Sequence, residues 1–512
     1  MPFCSVLFEG SGTGANEQPS EAPAFFRDLN LDQLVSTVTA GWEEYHLEPF
    51  YSTPLRDMET IAYRQQILQD LEDPALMQAI RSFSGQMQRM RARLDQAKKL
   101  YYRRATERCF LGAVEIYCAA IERLAREIEA IDLSSQGLGS FRSYLGVYAA
   151  SSSFRGLKDE TAQLESDLAS IRYGLLIRGG SVTVRNFGGE EDTSAAVEKT
   201  FEKFRSGEAS SKYWVKLRGM EGMNHIQALI LDRVALLYPE VFRALETFCA
   251  DHAEYLDETI ARFDREIQFY VSYLTYVDKF RRAGLSFCRP GISRSSKRIQ
   301  CFQAFDPVLA NKLIESGSPV VTNDFFLAGA ERIFVVSGPN QGGKTTFART
   351  FGQLHFLASL GCTVPGTAAR LFLFDRIFTH FEQQEEIANL RGKLENDLVR
   401  IRQILDQATP HSLLILNEIF ASTTLQDAVY LSRKVLEEVS ALDLLAVCVT
   451  FIDELATLNE KTVSVVSAVD PAHPAVRTYK LDRRPADGLA YAHALAEKHR
   501  VTYQWLRERI QP

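Results

Sequence analysis

The sequence lacks the features that would assign it to several specialised classes of protein. It has no excess of positive charge, because 58 lysines and arginines stand against 65 aspartates and glutamates, for a net charge of −7. Its eight cysteines form no C-x-x-C pair, which predicts buried thiols in a reducing compartment. No uninterrupted apolar run reaches the roughly 18 residues of a membrane span. These absences argue against a basic nucleic-acid coat protein and against a membrane protein.

The rest of the composition, 46% hydrophobic and 24% charged, is that of an ordinary globular protein. The stretch before Glu9 has no basic residue ahead of its short apolar run, so no secretory leader is predicted. We therefore expect a cytoplasmic protein. A length of 512 residues predicts two to four domains. Nucleic-acid binding stays open, because it depends on a local basic stripe rather than on the total charge.

Changes in hydrophobic period divide the chain into segments. The spacing is helical at first, then a hairpin signal surrounds Gly179-Gly180, then one helix of ~60 Å is predicted for about 240–282. The last third alternates fully apolar strands with helical stretches, which is typical of an α/β domain. The predicted segments are an N-terminal tether (1–24), a helical core (25–172), a short β-containing insertion (173–217), long lever helices (218–289) and an α/β domain (290–512).

One glycine-rich stretch fits the pattern G-x4-G-K-[ST] between an apolar strand and a helical segment. Glycines allow backbone amides to turn towards an anion at a helix N-terminus. Lys344 would reach the β- and γ-phosphates of ATP, and the Thr345 hydroxyl would bind Mg²⁺. The sequence therefore predicts an ATP-binding P-loop made of Gly338, Pro339, Asn340, Gln341, Gly342, Gly343, Lys344, Thr345 and Thr346.

A second apolar strand, residues 413–416, is followed by Asn417 and Glu418. Glu418 is predicted to orient the attacking water. Asn417 stands where an Mg²⁺-associated aspartate is usual and brings no charge, so we expect slow hydrolysis. Together with Thr345, these two residues form the predicted Mg²⁺ site. The alternative is that Glu418 is a solvated residue at the end of a strand.

Local positive charge is densest between residues 89 and 108. Lysines and arginines there would neutralise phosphates without reading bases. The alternative is a solvated helix face. The candidate nucleic-acid contacts are Arg89, Arg91, Arg93, Lys98, Lys99, Arg103 and Arg104, with Arg178 and Arg185 in the β-containing insertion.

The stretches GPNQGGKTT and LLILNEIFASTT resemble the P-loop and Walker B segments of the MutS family of DNA mismatch repair ATPases. The resemblance covers most of the chain from about residue 25 and is strongest from residue 319. It implies a multidomain fold, with an all-α core and lever region, a small β-containing clamp insertion and an α/β P-loop (ABC-like) ATPase domain. It also implies a homodimer with composite ATP sites, to which Arg391 or Lys393 would contribute in trans. Thr450 takes the place of the γ-phosphate sensor, beside Phe451 where the family has histidine.

The family's mismatch-reading and connector domains have no counterpart ahead of residue 25, so we expect no direct reading of a mispaired base. The resemblance then implies an ATP-gated protein that clamps structured or distorted DNA in mismatch repair or recombination. Two alternatives stay open. One is an ATP-driven RNA- or ribosome-associated factor, and the other is a structural dimer that binds ATP with little turnover.

Overall fold

The computed structural model describes residues 3–10, 23–178, 181–189, 225–381, 392–470, 477–486, 497 and 500–509. Contacts between residues divide the chain into two compact units. The first contains Met1–Phe3, Glu72–Leu133 and Leu138–Asp264, and the second contains Cys4–Leu71, Ser134–Gly137 and Arg265–Pro512. This division is coarser than the five segments expected from the sequence, which remain a prediction.

The region from residue 24 to residue 170 is helical, as its hydrophobic spacing predicts. Aspartates begin two of the helices: the Asp57 carboxylate accepts hydrogen bonds from the amides of Glu59 and Thr60, and Asp73 caps the next helix in the same way. A short 3-10 helix lies at Glu43–Tyr45. The α-helices are α1 (Ala24–Asp28), α2 (Leu31–Thr39), α3 (Glu48–Ser52), α4 (Met58–Asp70), α5 (Pro74–Lys99), α6 (Arg103–Glu129), α7 (Gln136–Ala150) and α8 (Ser152–Ser170).

A β-hairpin follows these helices. Its strands, β1 (Tyr173–Arg178) and β2 (Ser181–Asn186), pair antiparallel along their whole length. The pairing agrees with the hairpin predicted at this place. The turn predicted at Gly179-Gly180, residues 190–217 of the insertion and residues 218–224 of the next segment lie outside the described residues.

The prediction of a single helix over residues 240–282 is wrong. Helix α9 (His225–Leu237) is followed by α10 (Pro239–Asp251), and after a turn α11 (Glu258–Arg282) begins. Asp257 starts this last helix, because its carboxylate accepts a hydrogen bond from the amide three residues later at 2.9 Å. The 25 residues of α11 span ~37 Å. The apolar spacing continues across the turn, so hydrophobic period alone did not reveal the break.

In the described part of the second unit, the strands form three sheets. In chain order they are β3 (Phe287–Cys288), β4 (Gly291–Ser293), β5 (Ile299–Ala304), β6 (Asn323–Leu327), β7 (Ile333–Ser337), β8 (Val364–Pro365), β9 (Ala368–Phe372), β10 (Ile377–His380), β11 (Leu413–Asn417), β12 (Leu445–Val449), β13 (Thr462–Val469) and β14 (Arg477–Asp482). The largest sheet has the order β10-β11-β12-β7-β13-β14, in which only β14 is antiparallel to its neighbour. Strands β7, β11 and β12 are buried almost throughout, as the apolar runs predict.

The sheet order places β7 between β12 and β13, so the loop that follows β7 lies beside the carboxyl ends of its neighbours. The helix after that loop is buried along nearly its whole length. The helices of this region are α12 (Pro307–Glu315), α13 (Lys344–Ser359), α14 (Lys393–Gln407), α15 (Leu425–Leu442) and α16 (Tyr503–Arg509), with a 3-10 helix at Asp453–Thr457. Within the described ranges, no helix is long and apolar enough to cross a membrane.

Residues 5–7, which belong to the segment expected to be a tether, are held within the second unit by buried polar groups. The Ser5 hydroxyl and the Val6 amide both donate to the Glu266 carboxylate, at 2.7 and 2.9 Å. The guanidinium of Arg64, buried to 1% exposure, donates to the Leu7 carbonyl at 3.0 Å. Because these groups are shielded from water, each one depends on its partner for hydrogen bonding.

We expect Glu266→Ala to lower the free energy of unfolding by about 1–3 kcal/mol, because it leaves a buried hydroxyl and a buried amide without an acceptor. The measurement is chemical or thermal unfolding followed by circular dichroism. The control is Glu438→Ala, which removes a carboxylate from an exposed position on α15. Equal stability of the two variants would contradict a structural role for this carboxylate.

Candidate functional site

The glycine-rich stretch forms a turn between the end of β7 and the start of α13. Gly338 has a φ of 112° and Gly343 a φ of 93°, in the left-handed region that glycine adopts without a side-chain clash. Gly343 is also the residue that precedes the first helical position, Lys344. The unpaired amides of the first helical turn therefore begin at this loop, with the positive end of the helix dipole. This geometry suits an anion.

Ser467 of β13 packs against the turn at the places where glycine leaves room. A Cβ on Gly342 would lie 2.2 Å from the Ser467 Oγ, and a Cβ on Gly338 would lie 3.1 Å from the Ser467 backbone. The Ser467 hydroxyl donates to the Gly342 carbonyl at 2.6 Å. In addition, Arg477 of β14 donates through Nε to the Asn340 carbonyl at 3.1 Å. The turn is thus held from two neighbouring strands.

Lys344 is held by its own loop. Its Nζ donates to the carbonyls of Gly338 and Pro339, at 2.9 and 3.1 Å, and lies 4.1 Å from the centre of the Phe451 ring. Burial lowers the pKa of Lys344, and the nearby carboxylate of Glu418 opposes this shift. The site therefore contains a desolvated cation, which would gain strongly from an anionic ligand.

The end of β11 brings the predicted metal residues next to the loop. The Thr345 hydroxyl donates to Asn417 Oδ1 at 3.0 Å. Glu418 follows with a φ of 55°, and its amide donates to the Val449 carbonyl at the end of β12, at 2.9 Å. The structure thus places Thr345, Asn417 and Glu418 together, and these side chains supply the oxygen atoms that Mg²⁺ prefers.

Thr450 lies at the end of β12, one position ahead of Phe451. Its amide donates to the Val336 carbonyl of β7 at 3.0 Å, and its hydroxyl accepts a hydrogen bond from the Ile452 amide at 3.0 Å. The hydroxyl keeps its proton available for a further acceptor. Contact between Thr450 and a nucleotide stays a prediction.

A cavity of about 440 Å³ lies beside the loop. Its lining includes Gly343, Tyr479, Asn323 and, further along α13, Thr350. Asn323 fixes the irregular backbone of β14 near Tyr479, whose φ is 57°. The Asn323 side chain donates to the Tyr479 carbonyl at 3.1 Å and accepts from the Leu481 amide at 2.8 Å.

The sequence analysis missed Ser467, Arg477 and Tyr479 as parts of this site. They follow the glycine-rich loop by more than a hundred residues and belong to no local pattern with it. Only the pairing of β13 with β7 and of β14 with β13 brings them to the loop.

The basic run between residues 89 and 108 lies on α5 and α6. Most of its cations pair with carboxylates of the same unit. The pairs are Arg91–Asp264, Lys98–Asp95, Arg103–Glu246, Arg104–Glu107 and Arg108–Glu165. Arg89 and Lys99 are exposed, and Arg93 is half-buried. The run therefore offers less uncompensated positive charge than the sequence suggests.

The hairpin presents Arg178 and Arg185 on one face. Arg178 pairs with Ser181 and Arg185 pairs with Gly174, and side chains of a strand alternate between its two faces. Both arginines are exposed. Of the two residues predicted to act in trans, Arg391 lies outside the described residues, and Lys393 is the first residue of α14.

Comparison with known proteins gives a match to the family model for MutS domain V over residues 334–497. The chain is 28% identical over 240 residues to the DNA mismatch repair protein MutS of Chlorobium limicola, which is 46% of this chain and 26% of that protein. It is 31% identical over 220 residues to MutS of Erythrobacter litoralis, covering 41% and 25% of the two chains. It is 37% identical over 142 residues to MutS of Zymomonas mobilis, which is 27% of this chain and 16% of that protein.

The chain therefore spans about a quarter of the length of the first two of these relatives. The family match includes most of β7, the glycine-rich loop, α13, Glu418 and the strands that carry Asn417 and Ser467. Residues 334–497 accordingly resemble MutS domain V, and the similarity to MutS proteins is shown for this part of the chain.

Proposed function

We propose that the chain binds and hydrolyses ATP at the glycine-rich loop and uses the nucleotide state to control the clamping of structured or distorted DNA. The observation that carries this proposal is the turn between β7 and α13, where a desolvated Lys344 lies beside the amide-lined end of a buried helix. MutS-family proteins are in general ATPases, which supports the same assignment. The P-loop arrangement and the domain roles are part of the proposal.

In this proposal, the phosphates bind to the amides of the first turn of α13. Lys344 exchanges the carbonyls of Gly338 and Pro339 for phosphate oxygens, which are stronger acceptors because they are charged. The base enters the cavity, where Tyr479 offers an aromatic side chain beside Gly343. The loop and the cavity together are suited to a nucleoside triphosphate.

The fit to Mg²⁺ rests on the hydrogen bond between Thr345 Oγ1 and Asn417 Oδ1, which brings two neutral oxygen ligands together beside the Glu418 carboxylate. Mg²⁺ bound there would neutralise charge that develops on the phosphates. Glu418 orients the water for attack and accepts its proton. Asn417 Oδ1 would bind the metal ion as a neutral oxygen ligand.

A second candidate function is an ATP-binding dimer with little turnover. The specific observation in its favour is the Phe451 ring over Lys344, where an aromatic side chain without a titratable group occupies the approach to the ammonium. The trans contribution of Arg391 or Lys393 to a homodimeric site is proposed on the family resemblance alone.

DNA binding is proposed through the clamp-like hairpin and the exposed part of the basic run. Arg178 and Arg185 share one face, so both can reach the same phosphate backbone. Such contacts depend on phosphate spacing and on the shape of the nucleic acid rather than on base identity. Structured RNA is the competing ligand.

Lys344→Ala should weaken ATP binding about ten- to hundredfold, because it removes a charge-assisted contact to the phosphates. Isothermal titration calorimetry with ATP and Mg²⁺ measures this. Lys434→Ala, on the exposed face of α15, is the matched control. Unchanged ATP affinity in the Lys344 variant would refute the assignment of the loop.

Glu418→Gln should bind ATP with nearly wild-type affinity and hydrolyse it at least about a hundredfold more slowly, since only the chemical step needs the carboxylate. Single-turnover hydrolysis and ATP binding are measured on the same preparation. Glu454→Gln, an exposed acid-to-amide change, serves as the control. Wild-type turnover in the Glu418 variant would assign the general base to another residue. An intact wild-type protein that binds ATP without turnover would favour the structural dimer.

Arg178→Ala combined with Arg185→Ala should weaken binding to all nucleic-acid sequences and reduce the salt slope by about one unit for each lost phosphate contact. The control is Arg123→Ala with Arg126→Ala, which removes the same charge from α6. Fluorescence anisotropy compares perfect duplex, single-mismatch duplex, four-way junction and structured RNA at several salt concentrations. We expect the junction to bind best and the mismatch to bind no better than the perfect duplex. Preference for the RNA would replace DNA as the ligand, and preference for the mismatch would contradict the proposed substrate.

A further inference from the structure

Asp306 is a buried carboxylate in the wall of the cavity. It is 5% exposed and belongs to the cavity lining. Its Oδ1 accepts hydrogen bonds from the amides of Val308 and Leu309, at 2.9 and 3.0 Å, and from Gln353 Nε2 at 3.1 Å. One oxygen of the carboxylate is therefore fully used in capping α12 and in holding α13.

The other oxygen has no such role. Across the described ranges of the chain, no residue donates a hydrogen bond to Asp306 Oδ2. Burial raises the pKa of Asp306, and the donors on Oδ1 and the charge of Arg349 oppose this shift. Because Asp306 lines the cavity, a ligand bound there can donate a hydrogen bond to this oxygen.

Asp306 precedes α12 and contacts α13 through Gln353, and this place suits the edge of a base that is far from the phosphates. Gly343 and Thr346 line the cavity near the phosphate end, and Thr350 lines it one turn further on. Seven residues of helix separate Gly343 from Thr350, a rise of ~10 Å. Asp306 is tied to the next turn through Gln353. A nucleoside that begins at the loop would thus direct the edge of its base opposite the sugar towards Asp306.

We propose that Asp306 Oδ2 accepts a hydrogen bond from the exocyclic 6-amino group of adenine and thereby selects ATP over nucleotides with a 6-oxo group. This inference rests on the proposed function, since it assumes that the triphosphate binds at the loop. A 6-oxo purine turns an oxygen towards the carboxylate, so two acceptors face each other without a proton between them. Oδ1 already accepts three hydrogen bonds, so only Oδ2 can accept one from a base. Guanine would need both carboxylate oxygens to accept from its N1 and its 2-amino group.

The test compares ATP with inosine triphosphate (ITP), whose base carries a 6-oxo group, in wild type and in Asp306→Asn. We expect wild type to bind ATP about tenfold or more tightly than ITP, because one buried charge-assisted hydrogen bond is lost and an acceptor is left facing another. Asparagine retains an oxygen for the amides of α12 and replaces Oδ2 by a donor. In this variant the preference should fall to about one or reverse.

Asp306→Ser is the second variant, since serine also caps a helix but offers no second oxygen. It should lose affinity for ATP while ITP affinity stays nearly unchanged. A purely structural role would weaken both nucleotides equally in both variants, which would overturn the proposal. So would a wild-type protein that binds ATP and ITP equally.

Inorganic tripolyphosphate distinguishes failure of this inference from failure of the proposed function. It lacks a base, so its binding should depend on Lys344 and be the same in wild type and in Asp306→Asn. If tripolyphosphate and ATP bind in a Lys344-dependent manner while the ATP/ITP ratio does not respond to Asp306, the base assignment is wrong and the function stands. If neither ligand depends on Lys344, the function itself is wrong.

Discussion

The contact between Gly342 and Ser467 is the constraint on which the candidate site depends. Ser467 is fully buried, and its hydroxyl and backbone occupy the space that side chains at two positions of the loop would need. Its hydrogen bond to the Gly342 carbonyl directs that carbonyl towards β13. The amides of the loop are thereby left for an anion. The glycines are thus required by a neighbouring strand, whatever the proposed phosphates require of them.

The same loop holds Lys344 in a state that a ligand must replace. Two carbonyls and the Phe451 ring partly compensate the ammonium for the water it has lost. Binding of a polyphosphate therefore exchanges existing contacts rather than filling an empty site, and the net gain is the difference between the two sets. Phe451 is half-exposed and follows β12 and Thr450, so this exchange would involve the segment that leaves that strand.

Local sequence pattern was sufficient for the parts of the site that follow one another in the chain. Apolar runs marked β7, β11 and β12, and the residues after two of these strands gave Lys344, Asn417 and Glu418. Parallel strands bring their carboxyl ends to one edge, so the meeting of these three residues could be inferred. Ser467 and Asp306 could not be, because their roles come from strand order and from the packing of α12 against α13.

The basic residues show that local sequence also fails to predict which charges are neutralised. In the sequence, the run on α5 and α6 faces few acids, yet Asp264, Glu165 and Glu246 come from distant segments to neutralise it. The apolar part of an arginine side chain packs against neighbouring helices, and its guanidinium group is then paired with a carboxylate from one of them. On the hairpin, exposure and strand register show only that both candidate arginines lie on one exposed face, and local sequence gives no measure of how far they are neutralised.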